Sequence, residues 1–229
     1  MDGSNVREHN ALRSYPKGGP RIAGERTFEG RIHAAEKDCE FYEGDRKHGM
    51  GGYKKDQRWI AVARDLRADY GPRSVLHIGA DKGYLVDAIQ WDAFGDFHLQ
   101  AIGTEISEYA IDEAVVPLVY APYTALPFGD KAFDLAIAIG PVYTLSLRDA
   151  MSCLREIERV AKRAFITLAS YDTAEELDLM RLWSIGGNLI LPKEHWLKLL
   201  DYCGYTGDYW FVTAKTLDLR WGNLSGRAL

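Results

Sequence analysis

Residues 74–105, SVLHIGADKGYLVDAIQWDAFGDFHLQAIGTE, decide how the rest of the chain is read. Val75, Leu76 and Ile78 make a short apolar run suited to a strand buried in a parallel sheet. Gly79 and Gly83 bracket a tight turn, where glycine lets the backbone bend sharply and lets a ligand approach without meeting a Cβ. Tyr84 to Ile89 opens a helix whose first amide groups face that turn and favour negative charge. A second strand, His98 to Thr104, ends on Glu105, about 20 residues past the glycines, a spacing at which a carboxylate accepts hydrogen bonds from ribose hydroxyls. Together these parts make a nucleotide-binding half-unit. A dinucleotide-binding turn usually reads G-x-G-x-x-G. Here Gly79, Asp81 and Gly83 give G-x-D-x-G, and the Asp81 carboxylate would repel a pyrophosphate while tolerating an ammonium or sulfonium.

Working upstream, Lys54 to Tyr70 has the spacing of an amphipathic helix, with Trp59, Val62, Ala63, Leu66 and Tyr70 on its core face. Gly71 and Pro72 stop it. Arg58 at its head is placed to reach a ligand carboxylate, and Trp59 reads as core. Before it, EGDRKHGMGGY (residues 43–53) packs acid, base, histidine, glycines and an aromatic into one stretch able to fold over a ligand. A solvated turn is the plain alternative. Ile32 to Phe41 suits a short helix. Residues 1–30 show no sustained periodicity and read as a flexible segment or a lid that orders on binding.

Downstream, strands and helices alternate. Ser107 caps a helix running to about Ala114. Val116 to Tyr120 is a third strand, APYTALPF (residues 121–128) a loop, and Phe133 to Ile139 a fourth strand. Ser146 with Asp149 resembles a capping box, opening a helix whose core face is Leu147, Met151, Leu154, Ile157 and Ala161. Ala164 to Ala169 is the fifth strand. Thr173 with Glu176 starts another helix, SIGGNLIL (residues 184–191) interrupts the alternation, and Pro192 to Cys203 forms a helix ended by Gly204. Asp208 to Thr213 reads as a sixth strand and residues 215–221 as a seventh. The expected fold is therefore α/β, a Rossmann-like doubly wound, mostly parallel six- or seven-stranded sheet with helices on both faces, plus an N-terminal helical lid.

The 229 residues suit one domain with an appendage. A content of 47% hydrophobic and 27% charged residues is that of an ordinary globular protein, and a net charge of −5 argues against a general nucleic-acid surface. No apolar run is long enough to cross a bilayer, and the N-terminus lacks a signal-peptide core, so the expected location is cytoplasmic. Cys39, Cys153 and Cys203 are odd in number and far apart, and suggest neither a disulfide framework nor a metal site.

By Phe133 the chain resembles class I S-adenosylmethionine-dependent methyltransferases of the small-molecule, type 11-like kind. SVLHIGADKGYL is similar to their motif I, IGTEISEYAI to the acidic second-strand motif, and ALPF with FDLAIA to the stretch between the third loop and the fourth strand. EGDRKHGMGGYKKDQRW resembles a lead found before motif I in one bacterial subset, and GYTGDYW that subset's ending. The resemblance spans roughly residues 35–213, five motifs in order. It implies S-adenosyl-L-methionine as cofactor, with Gly79, Ala80, Asp81 and Gly83 facing the methionine part. Glu105 would hold the ribose hydroxyls, Ile106 would lie against adenine and Tyr123 would sit at the adenine edge. Ile139 and Gly140 would lie near the methionine ammonium, with Tyr53 and Arg58 in the lead. His77, Asp81 and Pro122 depart from the family pattern. It also implies a cofactor-binding domain at residues 73–229 behind a flexible segment at 1–30 and a helical lid segment at 31–72. Related enzymes build acceptor pockets at an insertion of the kind seen at 171–191.

Transfer to an amine needs mainly alignment and exclusion of water. A hydroxyl acceptor also needs a general base. His48 is the first candidate because its pKa lies near working pH, Asp45 the second and Tyr143 the third. Nothing suggests a metal. Trp183, Tyr143, Tyr171 and the glycine loop suggest an aromatic-walled pocket suited to a sugar, an amino sugar or another small polar natural product, N- or O-methylated. The expected partner is that small-molecule acceptor, without nucleic acid or membrane, in a chain that a homodimer would suit. Two other readings remain open at this point, an NAD-dependent oxidoreductase and a non-catalytic protein that keeps the fold.

Overall fold

The computed structural model describes residues 6–15, 21–24, 26–91 and 99–222. His98, the expected start of the second strand, lies outside them, as do parts of the 1–30 segment and residues 223–229. In chain order the elements are β1 (Arg7–Glu8), β2 (Arg21–Ala23), α1 (Phe28–Glu36), α2 (Cys39–Glu43), α3 (Arg58–Tyr70), β3 (Ser74–Ile78), α4 (Tyr84–Gln90), β4 (Gln100–Glu105), α5 (Glu108–Asp112) and β5 (Leu118–Tyr120). There follow β6 (Phe133–Ala138), α6 (Pro141–Thr144), α7 (Leu147–Val160), β7 (Ala161–Tyr171), α8 (Ala174–Trp183), β8 (Leu191–Pro192), α9 (Lys193–Cys203), β9 (Asp208–Val212) and β10 (Leu219–Trp221).

Local chemistry accounts for these boundaries. The hydroxyls of Ser107, Ser146 and Thr173 each accept from a backbone N–H in the first turn of the helix that follows, satisfying donors that a helix start leaves free. On α7 the residues Ala150, Cys153, Leu154, Ile157 and Val160 are buried at helical spacing, which gives it one apolar stripe against the sheet. Helix α3 likewise buries Trp59, Val62, Ala63, Leu66 and Tyr70, and it ends at Gly71 in the left-handed region.

Seven strands hydrogen-bond in the order β1-β9-β7-β6-β3-β4-β5, with β8 beside the end of β7. Every described pair is parallel. One face packs on α7 and α9 through residues such as Leu154, Ile157, Trp196 and Leu200. The other packs on α3 and α4 through Val62, Leu66, Leu85 and Val86. A parallel sheet needs this cover on both sides. From β3 the chain steps outward through β4 and β5, then returns to the other side of β3 as β6. The carboxyl ends of β3 and β6 therefore flank a topological switch point, the place where open α/β sheets bind ligands.

Two expectations change. Within residues 1–30, Arg7–Glu8 form the outermost strand, pairing with Asp208 and Tyr209. The stretch behind it is pinned to α3: Ser14 donates from both its N–H and its hydroxyl to Asp65, and Arg13 and His9 bond Asp69. These are side-chain contacts over long sequence separations, invisible to local periodicity. The seventh strand of the main sheet is thus β1. Residues 219–221 instead pair with Arg21–Ala23 in a separate two-stranded sheet.

His77 sits in the middle of β3, 4% exposed, and neither ring nitrogen has a hydrogen-bond partner. Burial lowers its pKa to about 4, partly opposed by the Glu105 charge. The imidazole is neutral in the fold, while the unfolded chain takes up a proton below the ordinary value of 6.5. Its contribution to stability is complete above pH 6.5 and is lost as pH falls toward 4. His77→Leu should remove roughly 3 kcal/mol of that acid sensitivity. Urea unfolding of both proteins at pH 7 and pH 4.5 checks this: the gap between them should widen in acid in favour of the variant.

Candidate functional site

Three turns at the carboxyl edge of the sheet build the site. In the first, after β3, Gly79, Asp81 and Gly83 all take positive φ, at 70°, 49° and 75°. A Cβ on Gly79 would come within 2.9 Å of Pro141, so the residue must be glycine for space as well as for conformation. Asp81 occupies the left-handed region where the related motif has glycine, and aspartate is among the few side chains that tolerate it. The N–H groups of Gly79 and Ala80 both donate to the carbonyl of Thr104, pinning this turn to β4. Gly83 starts α4. Between β6 and α6, Gly140 has φ 108°, and of its surroundings only the Tyr143 ring tip comes near a Cβ position, so its backbone faces open space.

Glu105 ends β4 with no exposed surface. Its Oε1 accepts from the backbone N–H groups of Ile106 and Ser107 at 2.7 and 3.1 Å and from the Tyr123 hydroxyl at 2.8 Å. Oε2 accepts from the Asp81 N–H at 2.9 Å. Lys37, the residue just past α1, adds its ammonium to Oε1 at 3.0 Å and donates to the Tyr123 hydroxyl at 3.1 Å. Burial alone would raise the Glu105 pKa, but the Lys37 charge and the ring of donors hold it below the carboxylate range. Burial opposes the Lys37 charge too, yet Tyr123, Glu105 and Asp81 around it keep its pKa above the ordinary lysine value. Burial, with Glu105 nearby, pushes the Asp81 carboxyl up despite Lys37 at 3.9 Å.

Helices α1 and α2 lie over this turn. Besides Lys37, the Tyr42 hydroxyl donates to Asp81 at 2.9 Å, Lys82 bonds Glu43, and the Ser107 hydroxyl donates to the Lys37 carbonyl at 2.6 Å. Tyr53 stacks on Tyr84 with centroids 5.1 Å apart. What these residues leave open is a cavity of about 190 Å³, lined by Lys37, Gly79, Asp81, Gly140 and the end of α8. Ile139, Tyr143 and Trp183 line both it and a second cavity of about 380 Å³. The second cavity's further walls include Tyr15, Trp59 and Trp210, with Asn10, Arg13 and Thr167 as polar groups. Arg26 holds the two regions together. Its buried guanidinium donates to the carbonyls of Leu182 and Trp183 at the end of α8 and to that of Arg46, and burial beside Arg46 lowers its pKa to about 10.

Of the residues expected from the sequence, Gly79, Asp81, Ile139, Gly140 and Tyr143 line the first cavity. Ala80, Gly83 and Tyr123 are buried behind it, and Ile106 is partly buried against the core. Other expected residues stand away from the cavities. His48 lines neither cavity: its Nδ1 is held by Glu40 at 2.8 Å and its ring packs on His33. Asp45 is 77% exposed and pairs with Lys47. Arg58 is spent on Asp56 and the Tyr15 hydroxyl rather than on a ligand site. Tyr171 also lines neither cavity. Trp59, read as core, is mostly buried and yet a wall of the second cavity. Lys37 and Tyr42 were missed; nothing in the local pattern marks a lysine or tyrosine that reaches 68 or 39 residues along the chain. Among the described residues no group of three or more His, Cys, Asp or Glu is arranged for a metal, and no helix is long and apolar enough to cross a membrane.

The residues fit the cofactor that the resemblance implies. A buried acceptor stands at the end of the second strand of the half-unit, and open backbone at Gly140 faces the first cavity. That cavity is smaller than the roughly 300–1,000 Å³ usual for small-molecule sites, because α1 and α2 are drawn down onto Glu105 and Asp81.

Residues 76–165 match the model of a family described as Methyltransferase domain. Among solved structures, the YcgJ protein of Bacillus subtilis is similar over 65% of this chain and 68% of its own, with 18% identity and a TM-score of 0.52. A SAM-dependent methyltransferase of Archaeoglobus fulgidus is similar over 64% of this chain and 68% of its own, with 18% identity and a TM-score of 0.48. A Haloferax volcanii methyltransferase solved with its Trm112 activator covers 66% of this chain and 74% of its own, with 14% identity and a TM-score of 0.47. The first of these is a likeness of fold, and the other two, below 0.5, carry no argument. No curated protein matches the chain in sequence.

Glu105→Ala should leave Asp81, 3.9 Å away, as the carboxylate partner of Lys37 and deprive the N–H groups of Asp81, Ile106 and Ser107 of their acceptor. Buried donors without an acceptor cost roughly 1–3 kcal/mol each, so urea unfolding should show a loss of at least that order.

Proposed function

Since residues 76–165 are a methyltransferase domain of the class I S-adenosylmethionine-dependent kind, we propose that the enzyme N- or O-methylates a small polar metabolite bearing a ring, such as a sugar, an amino sugar or a related natural product. When bound, S-adenosylmethionine supplies a methyl group on a sulfonium centre. Glu105 holds the ribose hydroxyls, Gly79, Asp81 and Gly140 frame the methionine part, and the second cavity holds the acceptor. One observation carries this reading: the two cavities share Ile139, Tyr143 and Trp183, so a donor site and a place for an acceptor lie side by side at the carboxyl edge of the sheet.

The chain's own contribution is alignment and exclusion of water. Flat rings at Tyr15, Trp59, Trp183 and Trp210 offer stacking area for a ring, and Asn10 and Thr167 offer hydrogen bonds that orient it, beside Arg13, which Asp69 and Asp65 hold at the cavity wall. Holding the acceptor atom close and in line converts a bimolecular encounter into a near-attack arrangement. With His48 and Asp45 outside the cavities, Tyr143 is the remaining candidate among the three to meet an acceptor proton, and an amine acceptor that attacks unprotonated would need no base at all.

Calorimetric titration with S-adenosylhomocysteine should give micromolar binding, weakened roughly tenfold or more in Glu105→Gln, which keeps the side-chain shape and loses the charge-assisted bonds. Binding of NAD without S-adenosylhomocysteine would overturn the reading. With an acceptor found by screening, Trp210→Ala should raise the acceptor KM several-fold and leave S-adenosylhomocysteine affinity unchanged.

A further inference from the structure

Glu105, the group assigned above to the ribose hydroxyls, is already crowded at one oxygen by donors from within the chain, while Oε2 accepts from the Asp81 N–H. Four donors converge on Oε1: the Ile106 and Ser107 N–H groups, the Tyr123 hydroxyl and the Lys37 ammonium. Two of these are backbone groups of the next residues and cannot leave without unmaking the end of β4. The Tyr123 side chain is 2% exposed and packed in the core. Lys37 differs. Its ammonium sits at the end of a flexible stem, on a segment outside the sheet, with its side chain 16% exposed. It also has somewhere to go, because Asp81 Oδ1 lies 3.9 Å from Nζ.

We propose that Lys37 is an internal competitor of the cofactor: its ammonium occupies the place of the ribose hydroxyls at Glu105, and the cofactor binds by displacing it toward Asp81. The inference rests on the reading that Glu105 receives the ribose. Moving from one carboxylate to another keeps the cation paired throughout, which avoids the large penalty of an uncompensated buried charge. The geometry of the backbone suits this role. Lys37 has φ 50° and ψ 46°, a left-handed conformation at the end of α1, and its carbonyl is fixed by the Ser107 hydroxyl. The side chain is thereby aimed inward by a backbone that a lysine adopts only with some strain. The Lys37 side chain is also one of the ties between the α1–α2 segment and the carboxyl edge of the sheet, beside Tyr42 to Asp81, Glu43 to Lys82 and the Ser107 hydroxyl to the Lys37 carbonyl. Displacing it frees the segment at the point where the first cavity is too small. Lys37 therefore sets cofactor affinity from outside the domain that the family model covers, which begins at residue 76.

The test is titration of S-adenosylhomocysteine into wild type, Lys37→Gly, Glu105→Gln and the double variant. Glycine removes the competitor and takes the left-handed conformation without strain. Lys37→Gly should bind at least tenfold tighter than wild type, and Glu105→Gln should weaken binding in both backgrounds. Equal or weaker binding by Lys37→Gly, with Glu105→Gln still weakening both, would overturn the competition and leave the ribose assignment standing. No effect of Glu105→Gln in either background would instead sink the ribose assignment. Should Lys37→Gly fail to fold, hydrogen exchange of the wild type decides. Amides of residues 28–43 should exchange faster with saturating S-adenosylhomocysteine, and slower exchange would overturn the proposal.

Discussion

A carboxylate with no exposed surface needs compensation from every side, and Glu105 is that carboxylate. A desolvated ion pays several kcal/mol that only close partners return. The partners come from four separate places in the chain: the segment after α1, the turn after β3, the start of α5 and the loop after β5. Each is a loop or an element end. The charge at the end of β4 thus does for the carboxyl edge of the sheet what the apolar clusters do for its faces. It sets where Asp81 and Lys37 lie, and through them how far α1 and α2 descend.

The site follows from topology before it follows from any side chain. Because the strand order reverses at β3, the loops after β3 and β6 diverge and leave a crevice at the carboxyl edge of the sheet. Glycines at 79 and 140 keep that crevice from being filled by their own side chains. The aromatic cavity beside it lies over β7 and β9 and is finished by residues 10–15, which reach it only because Asp65 and Asp69 on α3 hold them there. Anchoring of the N-terminal stretch is therefore part of building the second cavity.

The sequence showed the sheet plainly because its signals are local: apolar runs at Val75–Ile78 and Phe133–Ala138, caps at Ser107, Ser146 and Thr173, stops at Gly71 and Gly204. Glu105 was legible from its distance to the glycines. What failed was of another kind. His48 and Asp45 were chosen for chemical type and loop position, and their direction is set by partners, Glu40 for one and Lys47 for the other. Arg58 was chosen for its place at a helix head, where Asp56 two residues earlier captures it. Lys37, by contrast, matters through a contact 68 residues away. Local pattern finds elements and strand-end motifs; it does not find which long side chain folds inward from a segment outside the sheet.

Strand β1 is two residues long and carries no catalytic group, yet it pairs with the first two residues of β9, whose sequence is DYWFV. An uncovered parallel edge of that composition would present free backbone donors and acceptors beside three aromatic rings, a template for pairing with another copy. Pairing with Arg7 and Glu8 takes up the first two residues of that edge, and Arg7, bonded to Asp208 through both oxygens, puts a charged side chain outermost there. The N-terminal stretch thus occupies, at Asp208 and Tyr209, backbone groups that would otherwise stand open at the margin of the sheet.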